Sequence, residues 1–208
     1  MTKIKICGIT NLKDARLSVE AGADALGFNF FDRSPRYVSP ADAEEIIGRL
    51  DTGVSKVGVF VNESIENIAA IVDAAGLDAV QLHGDESTSF VDELRKRLDC
   101  DLIKAFRVSG TFRPEVTLDY NVHGILLDGF SKDSRGGTGE TFDWDVAKLV
   151  GTLVGQLWLA GGLTPGNVRL AIAEVGPYAV DACSSIESRP GIKDETKLRK
   201  FISEAKSA

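Results

Sequence analysis

The sequence predicts an α/β chain that closes as a single-domain (β/α)8 TIM barrel, and three observations predict it. First, short apolar runs of strand length stand at 3–6, 25–30, 56–61, 79–82, 102–106, 124–127, 157–160 and 179–181. Helical patterns lie between them, near 12–21, 40–49, 64–75, 86–97, 143–150, 165–174 and 194–205. Strands separated by crossovers make a parallel sheet, and eight is a number that closes as a barrel. Second, Ala21-Gly22-Ala23-Asp24-Ala25 recurs as Ala75-Gly76-Leu77-Asp78-Ala79, each time where a helix ends and a strand begins. Glycine ends the helix there, and aspartate stands at the entry to the strand. Third, no linker, low-complexity tract or change of composition divides the chain, so 1–208 is expected to be one domain.

Each element has a local reason. Lys3 to Ile6 alternates polar and apolar, Gly8 frees the backbone to turn, and Thr10 or Asn11 caps the first helix. After the fifth strand, 113–119 is too short and too broken by Pro114 for a full helix. At 208 residues and 43% hydrophobic content, the chain fills one core and is short for two.

Charge and cysteine usage exclude several classes of function. The net charge of −7, from 24 basic and 31 acidic residues without a basic run, argues against nucleic acid or an anionic membrane as partner. A small basic pocket for an anion remains compatible with it. The three cysteines, Cys7, Cys100 and Cys183, are odd in number and widely spaced, which points to a reducing, cytoplasmic setting rather than a disulfide framework. The N-terminus enters a strand without an apolar signal core, and no run reaches transmembrane length. His83 and His123 have no neighbours at metal-ligand spacing, so no metal site is expected.

In a β/α barrel, functional groups gather at the carboxyl ends of the strands and in the loops that follow. Cys7 ends the first strand; it is either a small buried apolar residue or a thiol facing the mouth. After the second strand, Arg36 follows a stiff Ser34-Pro35 pair, and its planar fork suits a carboxylate. A loop arginine is otherwise a solvated charge. After the fourth, His83 serves as a general base or, the preferred reading, as a polar wall residue, while Asp85 caps the next helix. The sixth strand ends at Asp128, and a glycine-rich loop follows through Arg135-Gly136-Gly137-Thr138-Gly139. That loop is a lid over substrate or a plain surface loop. Under a lid, a carboxyl would have its pKa raised and act as an acid near neutrality. The glycine pair Gly161-Gly162 after the seventh strand, and Cys183-Ser184 after Asp181 on the eighth, occupy the usual phosphate position of this fold. These residues together suggest a small phosphorylated substrate beneath Cys7, Asp128 and Asp181.

The chain resembles the phosphoribosylanthranilate isomerases of tryptophan biosynthesis from its first strand to its last helix. The resemblance is carried by Lys5-Ile6-Cys7-Gly8-Ile9-Thr10, Gly22-Ala23-Asp24-Ala25-Leu26-Gly27-Phe28, Ser34-Pro35-Arg36-Tyr37-Val38 and Gly58-Val59-Phe60-Val61-Asn62. Further on it rests on Val80-Gln81-Leu82-His83-Gly84-Asp85, Gly136-Gly137-Thr138-Gly139 with Phe142-Asp143-Trp144, Leu159-Ala160-Gly161-Gly162-Leu163 and Pro190-Gly191-Ile192-Lys193-Asp194. It implies a cofactor-free Amadori rearrangement of N-(5-phosphoribosyl)anthranilate to 1-(2-carboxyphenylamino)-1-deoxyribulose 5-phosphate. It also implies Asp128 as general acid and Cys7 as general base. Arg36 would hold the anthranilate carboxylate, with Asp181 and His83 as further substrate-binding groups. The phosphate would rest on amides at Gly161, Gly162, Cys183 and Ser184. An ordinary thiol, with pKa about 8.5, is a few per cent ionised at neutral pH, enough for a proton made acidic by an adjacent iminium.

One departure stands out. The family pattern after the eighth-strand aspartate runs Val-Ser-Ser-Gly, whereas this chain has Ala182-Cys183-Ser184-Ser185. Serine at a customary glycine costs roughly 1 kcal/mol or more if the backbone there needs positive φ. Rival readings are a histidine-pathway or bifunctional aminoaldose isomerase, which carries aspartate on the first strand, and a non-catalytic phosphosugar-binding barrel, which needs neither Cys7 nor Asp128. The expected partner is a small phosphoribosyl substrate, and the chain is expected to work as a monomer or homodimer.

Overall fold

The structure is a computed structural model that describes residues 1–50, 53–129 and 144–208. Eight strands close in chain order into a parallel barrel: β1 (Lys3–Cys7), β2 (Ala25–Asn29), β3 (Ser55–Phe60), β4 (Ala79–Leu82), β5 (Asp101–Val108), β6 (Gly124–Gly129), β7 (Leu157–Leu159) and β8 (Ala179–Ala182). Around them run α1 (Leu12–Ala21), α2 (Pro40–Gly48), α3 (Ile65–Ala75), α4 (Thr88–Arg97), α5 (Trp144–Leu153), α6 (Val168–Val175) and α7 (Glu195–Lys206). The 113–119 segment forms a short 3₁₀ helix, Pro114–Asp119, in place of a full crossover helix. The proposed lid, Arg135 to Gly139 with Phe142 and Asp143 beyond it, lies outside the described residues.

Alternation along β1 sorts its side chains. Ile4 and Ile6 are fully buried in the large core between sheet and helices, with Phe201 and Ile202 of α7. Lys5, between them, is fully buried as well, which places a charge inside the barrel. A smaller set, mostly small and medium residues such as Ala25, Val57, Ala79, Ile103 and Leu126 together with Trp158, fills the barrel interior. The taper of a small barrel favours such residues at its centre.

The repeated Ala-Gly-x-Asp-Ala segment is a structural clasp. Gly22 and Gly76 take left-handed φ of 100° and 63° and end α1 and α3, as glycine does without a Cβ clash. Asp24 Oδ2 then accepts the N–H of Ile4 at 2.9 Å, and Asp78 Oδ2 accepts that of Lys56 at 2.8 Å. Each aspartate thus pins the start of the strand before it and fixes the register of the pair. At the next odd strand the same job falls to His123, whose Nδ1 accepts the N–H of Leu102 at 2.9 Å.

Three local expectations are refined. Asn11 caps α1, accepting the N–H of Asp14 at 2.9 Å. Asp85 does not cap α4; Ser87 does, accepting the N–H of Phe90 at 3.2 Å, so the helix starts two residues later than the pattern suggests. Asp85 instead donates its N–H to Asn62 Oδ1 at 2.7 Å. Helix α6 starts at Val168 rather than near 165, because Asn167 Oδ1 accepts the N–H of Thr164 at 2.7 Å and folds the preceding residues into a turn. Beyond β8, a 3₁₀ turn (Ser184–Ile186) leads into an antiparallel hairpin, β9 (Glu187–Arg189) and β10 (Ile192–Lys193), that the sequence reading did not anticipate.

Candidate active site

A cavity of about 530 Å³ opens at the carboxyl ends of the strands. All nine residues expected at the site line it: Cys7, Arg36, His83, Asp128, Gly161, Gly162, Asp181, Cys183 and Ser184. A second cavity, about 430 Å³, lies where the strands begin, among Lys3, Asp101 and His123, and none of the nine reaches it. The chemistry-bearing groups thus gather at one end of the barrel.

Cys7 sits above an unusual concentration of positive charge. Lys5 Nζ, two residues earlier and inside the barrel, donates to Asp181 Oδ2 at 2.9 Å. Lys193 Nζ donates to the carbonyl oxygen of Cys7 and, at 3.1 Å, to Glu187 Oε1. A hydrogen bond from Cys183, followed by the charges of Lys5 and Lys193, outweighs burial and holds the Cys7 thiol well below its ordinary pKa. The same pairing, with burial, pushes Cys183 well above its own ordinary value, and Cys183 Sγ also stands 4.0 Å from Glu187 Oε1. Such surroundings favour a basic sulfur at neutral pH.

Asp181 is divided between two tasks. Its Oδ2 is taken by Lys5, while Oδ1 is buried with no partner among the described residues. Burial, then the charges of Cys7 and Asp128, pushes its pKa up to about 7 against the pull of Lys5. Burial disfavours the charge on Lys5, yet Asp181 and Cys7 hold its amine above the ordinary value. The buried amine therefore stays cationic at neutral pH. A free carboxyl oxygen on a group titrating near neutrality can accept from, or donate to, a substrate hydroxyl.

Across the cavity, Asp128 ends β6. His83 Nε2 stands 3.3 Å from Asp128 Oδ2, and Gln81 Nε2 lies 2.8 Å from His83 Nδ1. If the Gln81 amide donates, Nδ1 accepts, and the ring's N–H is directed at the carboxyl. His83 thus stands in the cavity wall within reach of the Asp128 carboxyl, where a backbone carbonyl was the expected partner. Arg36 reaches the cavity with Nε and Nη2 clasped by Glu187, at 2.7 to 3.1 Å. Its Nη1 has no partner among the described residues, leaving donors for an anionic group.

The glycine pair and the 3₁₀ turn form the far wall. Gly161 and Gly162 have φ of 77° and 71°. A Cβ on Gly161 would fall 2.0 Å from the amide nitrogen of Gly129, so no side chain fits. Asn167 Nδ2 donates to the Gly162 carbonyl at 3.0 Å and braces this loop. The amides of Gly161, Gly162, Ser184 and Ser185 make no hydrogen bond with another described residue, as an anion cradle requires. Among non-glycine described residues only Asn62 has positive φ, so Ser185 bears no left-handed strain at the family's glycine position. Among the described residues no group of three or more His, Cys, Asp or Glu is arranged to hold a metal ion.

Comparison with known proteins gives the family. The family model described as N-(5'phosphoribosyl)anthranilate (PRA) isomerase matches residues 4–204. The chain belongs to that family. A relative from Citrifermentans bemidjiense named N-(5'-phosphoribosyl)anthranilate isomerase is 51% identical over 206 residues, covering 99% of this chain and 98% of its own. The crystal structure of the phosphoribosyl anthranilate isomerase of Thermotoga maritima superposes with a TM-score of 0.93 at 45% identity, each chain covered in full. A further structure of the family, in complex with reduced 1-(o-carboxyphenylamino)-1-deoxyribulose 5-phosphate, matches at 0.89 and 43%, again over both full chains.

Several cavity groups escaped the sequence reading. Lys5 passed as the polar half of an alternating strand, although strands of a closed parallel barrel are covered on both faces. Arg107, beside Asp128 in the β5–β6 register, and Gln81 also line the cavity. Glu187 and Lys193 lie buried beneath it in the hairpin.

Proposed function

We propose that this cavity carries out the Amadori rearrangement of N-(5-phosphoribosyl)anthranilate to 1-(2-carboxyphenylamino)-1-deoxyribulose 5-phosphate, with Asp128 as acid and Cys7 as base. The reaction is the one for which its family is named, and it belongs to tryptophan biosynthesis. The observation that carries the residue roles is the opposition of a carboxyl and an acidified thiol across one cavity with an unoccupied set of amides.

Asp128 gives a proton to the ribose ring oxygen, the ring opens, and a Schiff base forms with the anthranilate nitrogen. His83 keeps the carboxyl turned toward the sugar. Cys7 then removes the proton from C2, which the adjacent iminium has made acidic, and the enolamine tautomerises to the ketone. Lys5 and Lys193 keep the sulfur ionised without themselves reaching the sugar. Arg36, steadied by Glu187, binds the anthranilate carboxylate. Asp181 Oδ1 takes a sugar hydroxyl, and the amides of Gly161, Gly162, Cys183 and Ser184 hold the phosphate. A monomer or homodimer in the cytoplasm suits this role, and no described helix is long and apolar enough to cross a membrane.

The test follows loss of freshly generated phosphoribosylanthranilate by its fluorescence, with wild type, Cys7→Ala and Asp128→Asn side by side. Each variant should lose on the order of 10²–10⁴-fold in kcat, the usual worth of a general acid or base. A Cys7→Ala protein that keeps wild-type turnover removes Cys7 as the base. A folded wild type that binds a product analogue without turnover leaves only a binding role.

A further inference from the structure

We propose that Cys7 and Cys183 form a reversible oxidation site, in which a hydroperoxide converts the two thiols into a disulfide across the β1–β8 seam. The proposal rests on the reading of Cys7 as the catalytic base, and it adds a second chemistry to the same sulfur.

The geometry comes from the strand pairing. Ile6 and Ala182 are Cα partners in the parallel β1–β8 ladder, so Cys7 and Cys183 leave adjacent strand ends side by side. Neighbouring strands lie about 4.8 Å apart, inside the roughly 4.4–6.8 Å that a disulfide spans between Cα atoms. Both side chains line the same cavity, and Cys183 Sγ also stands 4.0 Å from Glu187 Oε1. Both are free and half-buried, open on the cavity side to a small solute. Cys183 thus supplies a second sulfur beside Cys7, where a hydroxyl would end the matter.

The chemistry balances with a hydroperoxide as oxidant. The Cys7 thiolate attacks one peroxide oxygen; the S–O bond forms, the O–O bond breaks, and the departing alkoxide or hydroxide takes a proton. Cys7 is then a sulfenic acid. The Cys183 sulfur attacks it, the S–O bond breaks, and hydroxide leaves with the Cys183 proton as water. The two thiols have lost two electrons and two protons, and the peroxide has become an alcohol, or water, plus water. A dithiol reductant reverses the net change by thiol exchange. Cys183 is suited to the resolving step because it stands beside the sulfur that reacts first, and once Cys7 is a sulfenic acid the neighbouring charge that holds the Cys183 proton is gone. Cys100, half-buried elsewhere and pushed up to about 11 by burial and neighbouring acidic residues, stays a thiol and serves as internal reference.

The consequence is protection as well as silence. A sulfur in a disulfide carries no basic lone pair suited to the C2 proton, so turnover stops. The bond also halts oxidation before the sulfinic stage, which ordinary thiols cannot reverse. A chain with serine at 183 would instead pass through sulfenic acid to permanent loss.

The experiment treats the full chain with graded hydrogen peroxide, quenches it, and measures turnover beside the intact mass and a tryptic map. Cys7 and Cys183 fall in separate tryptic peptides, 6–13 and 170–193, and Cys100 in a third, 98–104. The expected result is a mass lower by two hydrogens, a cross-link joining the first two peptides, and loss of turnover in proportion to it. Dithiothreitol should restore both. Cys183→Ser and Cys183→Ala, each compared with its own untreated activity, should lose turnover without recovery as Cys7 gains two oxygens. Wild type that gains oxygen atoms on Cys7 with no cross-link overturns the proposal while leaving Cys7 as the base. A complete cross-link with turnover intact overturns the assignment of Cys7 as base and the regulatory consequence together.

Discussion

Replacing Gly161 by alanine separates backbone strain from steric exclusion at the cavity wall proposed to hold phosphate, with Gly176 as the control. Both glycines have positive φ, 77° and 61°, and an alanine in that region costs roughly 1–2 kcal/mol. At Gly176, which ends α6, an added Cβ meets nothing within 4 Å, so Gly176→Ala carries that cost alone. At Gly161 the Cβ would meet Gly129 N at 2.0 Å, Gly129 Cα at 2.6 Å and Asp128 Oδ1 at 2.9 Å. The first two are backbone atoms of β6 and cannot rotate away. Overpacking of this kind adds about 1–3 kcal/mol, for a total of about 2–5 kcal/mol. At 2–4 °C per kcal/mol for a chain of this size, Gly176→Ala should lower Tm by roughly 2–8 °C and Gly161→Ala by roughly 4–20 °C. Relief moves the end of β6, which carries Asp128, or the Gly161-Gly162 loop facing it, and both line the cavity, so Gly161→Ala should also lower kcat at least tenfold and raise KM. Thermal unfolding and steady-state kinetics of the two variants read both effects. Equal Tm shifts with unchanged kcat in Gly161→Ala would refute the steric argument.

Three other outcomes follow from the buried charges and the eighth-strand turn. Glu187→Gln leaves Arg36 and Lys193 without their shared carboxylate, which should cost about 3–5 kcal/mol in denaturant unfolding and raise KM. Burial pushes Glu187 up, but Arg36 and Lys193 more than reverse it. Its folded pKa lies below the unfolded value of 4.5, so its contribution is present above that pH and fades as pH falls through the folded value; the variant should lack this acid dependence. Alkylation of Cys7 by iodoacetamide should have its pH midpoint below that of an ordinary thiol and far below that of Cys100, and kcat/KM should fall as pH drops through the same midpoint; a midpoint at or above 9.0 contradicts the charge reading of the site. Ser185→Gly should destabilise slightly, by about 0.4–1 kcal/mol, because the backbone there needs no positive φ and glycine only loosens the unfolded chain. A gain in stability would show hidden strain.

How far the site was legible depended on whether a residue's role is local. Cys7, Asp128 and Asp181 could be found because a strand tip in a β/α barrel faces the mouth whatever the rest of the fold does. Gly161 and Gly162 were legible for a similar reason, as a glycine pair between a strand and a helix. Lys5 was not, because a short alternating strand looks half-solvated until the ring is known to be closed. The two isoleucines flanking it were the available signal. Glu187 and Lys193 were missed because their partners lie far away: Lys193 reaches the carbonyl of Cys7, 186 residues earlier. The Pro190-Gly191 pair between them did mark a turn and could have suggested a hairpin. Asp85 misled because Ser87, two places on, was an equally good cap.

The seam between β1 and β8 has a consequence for how activity arises. The thiol proposed as base is that of Cys7, whereas Asp181, the Ser184 amide proposed to hold phosphate and the hairpin's Lys193 come from β8 and the turn and hairpin beyond it. Until β8 pairs with β1, Lys5 lacks the Asp181 carboxylate that holds its amine. Turnover is therefore a report of ring completion, since the groups proposed for it meet only once β8 pairs with β1. Fragments cut between barrel halves should regain turnover only on reassociation, with its onset marking the moment the two chain ends meet.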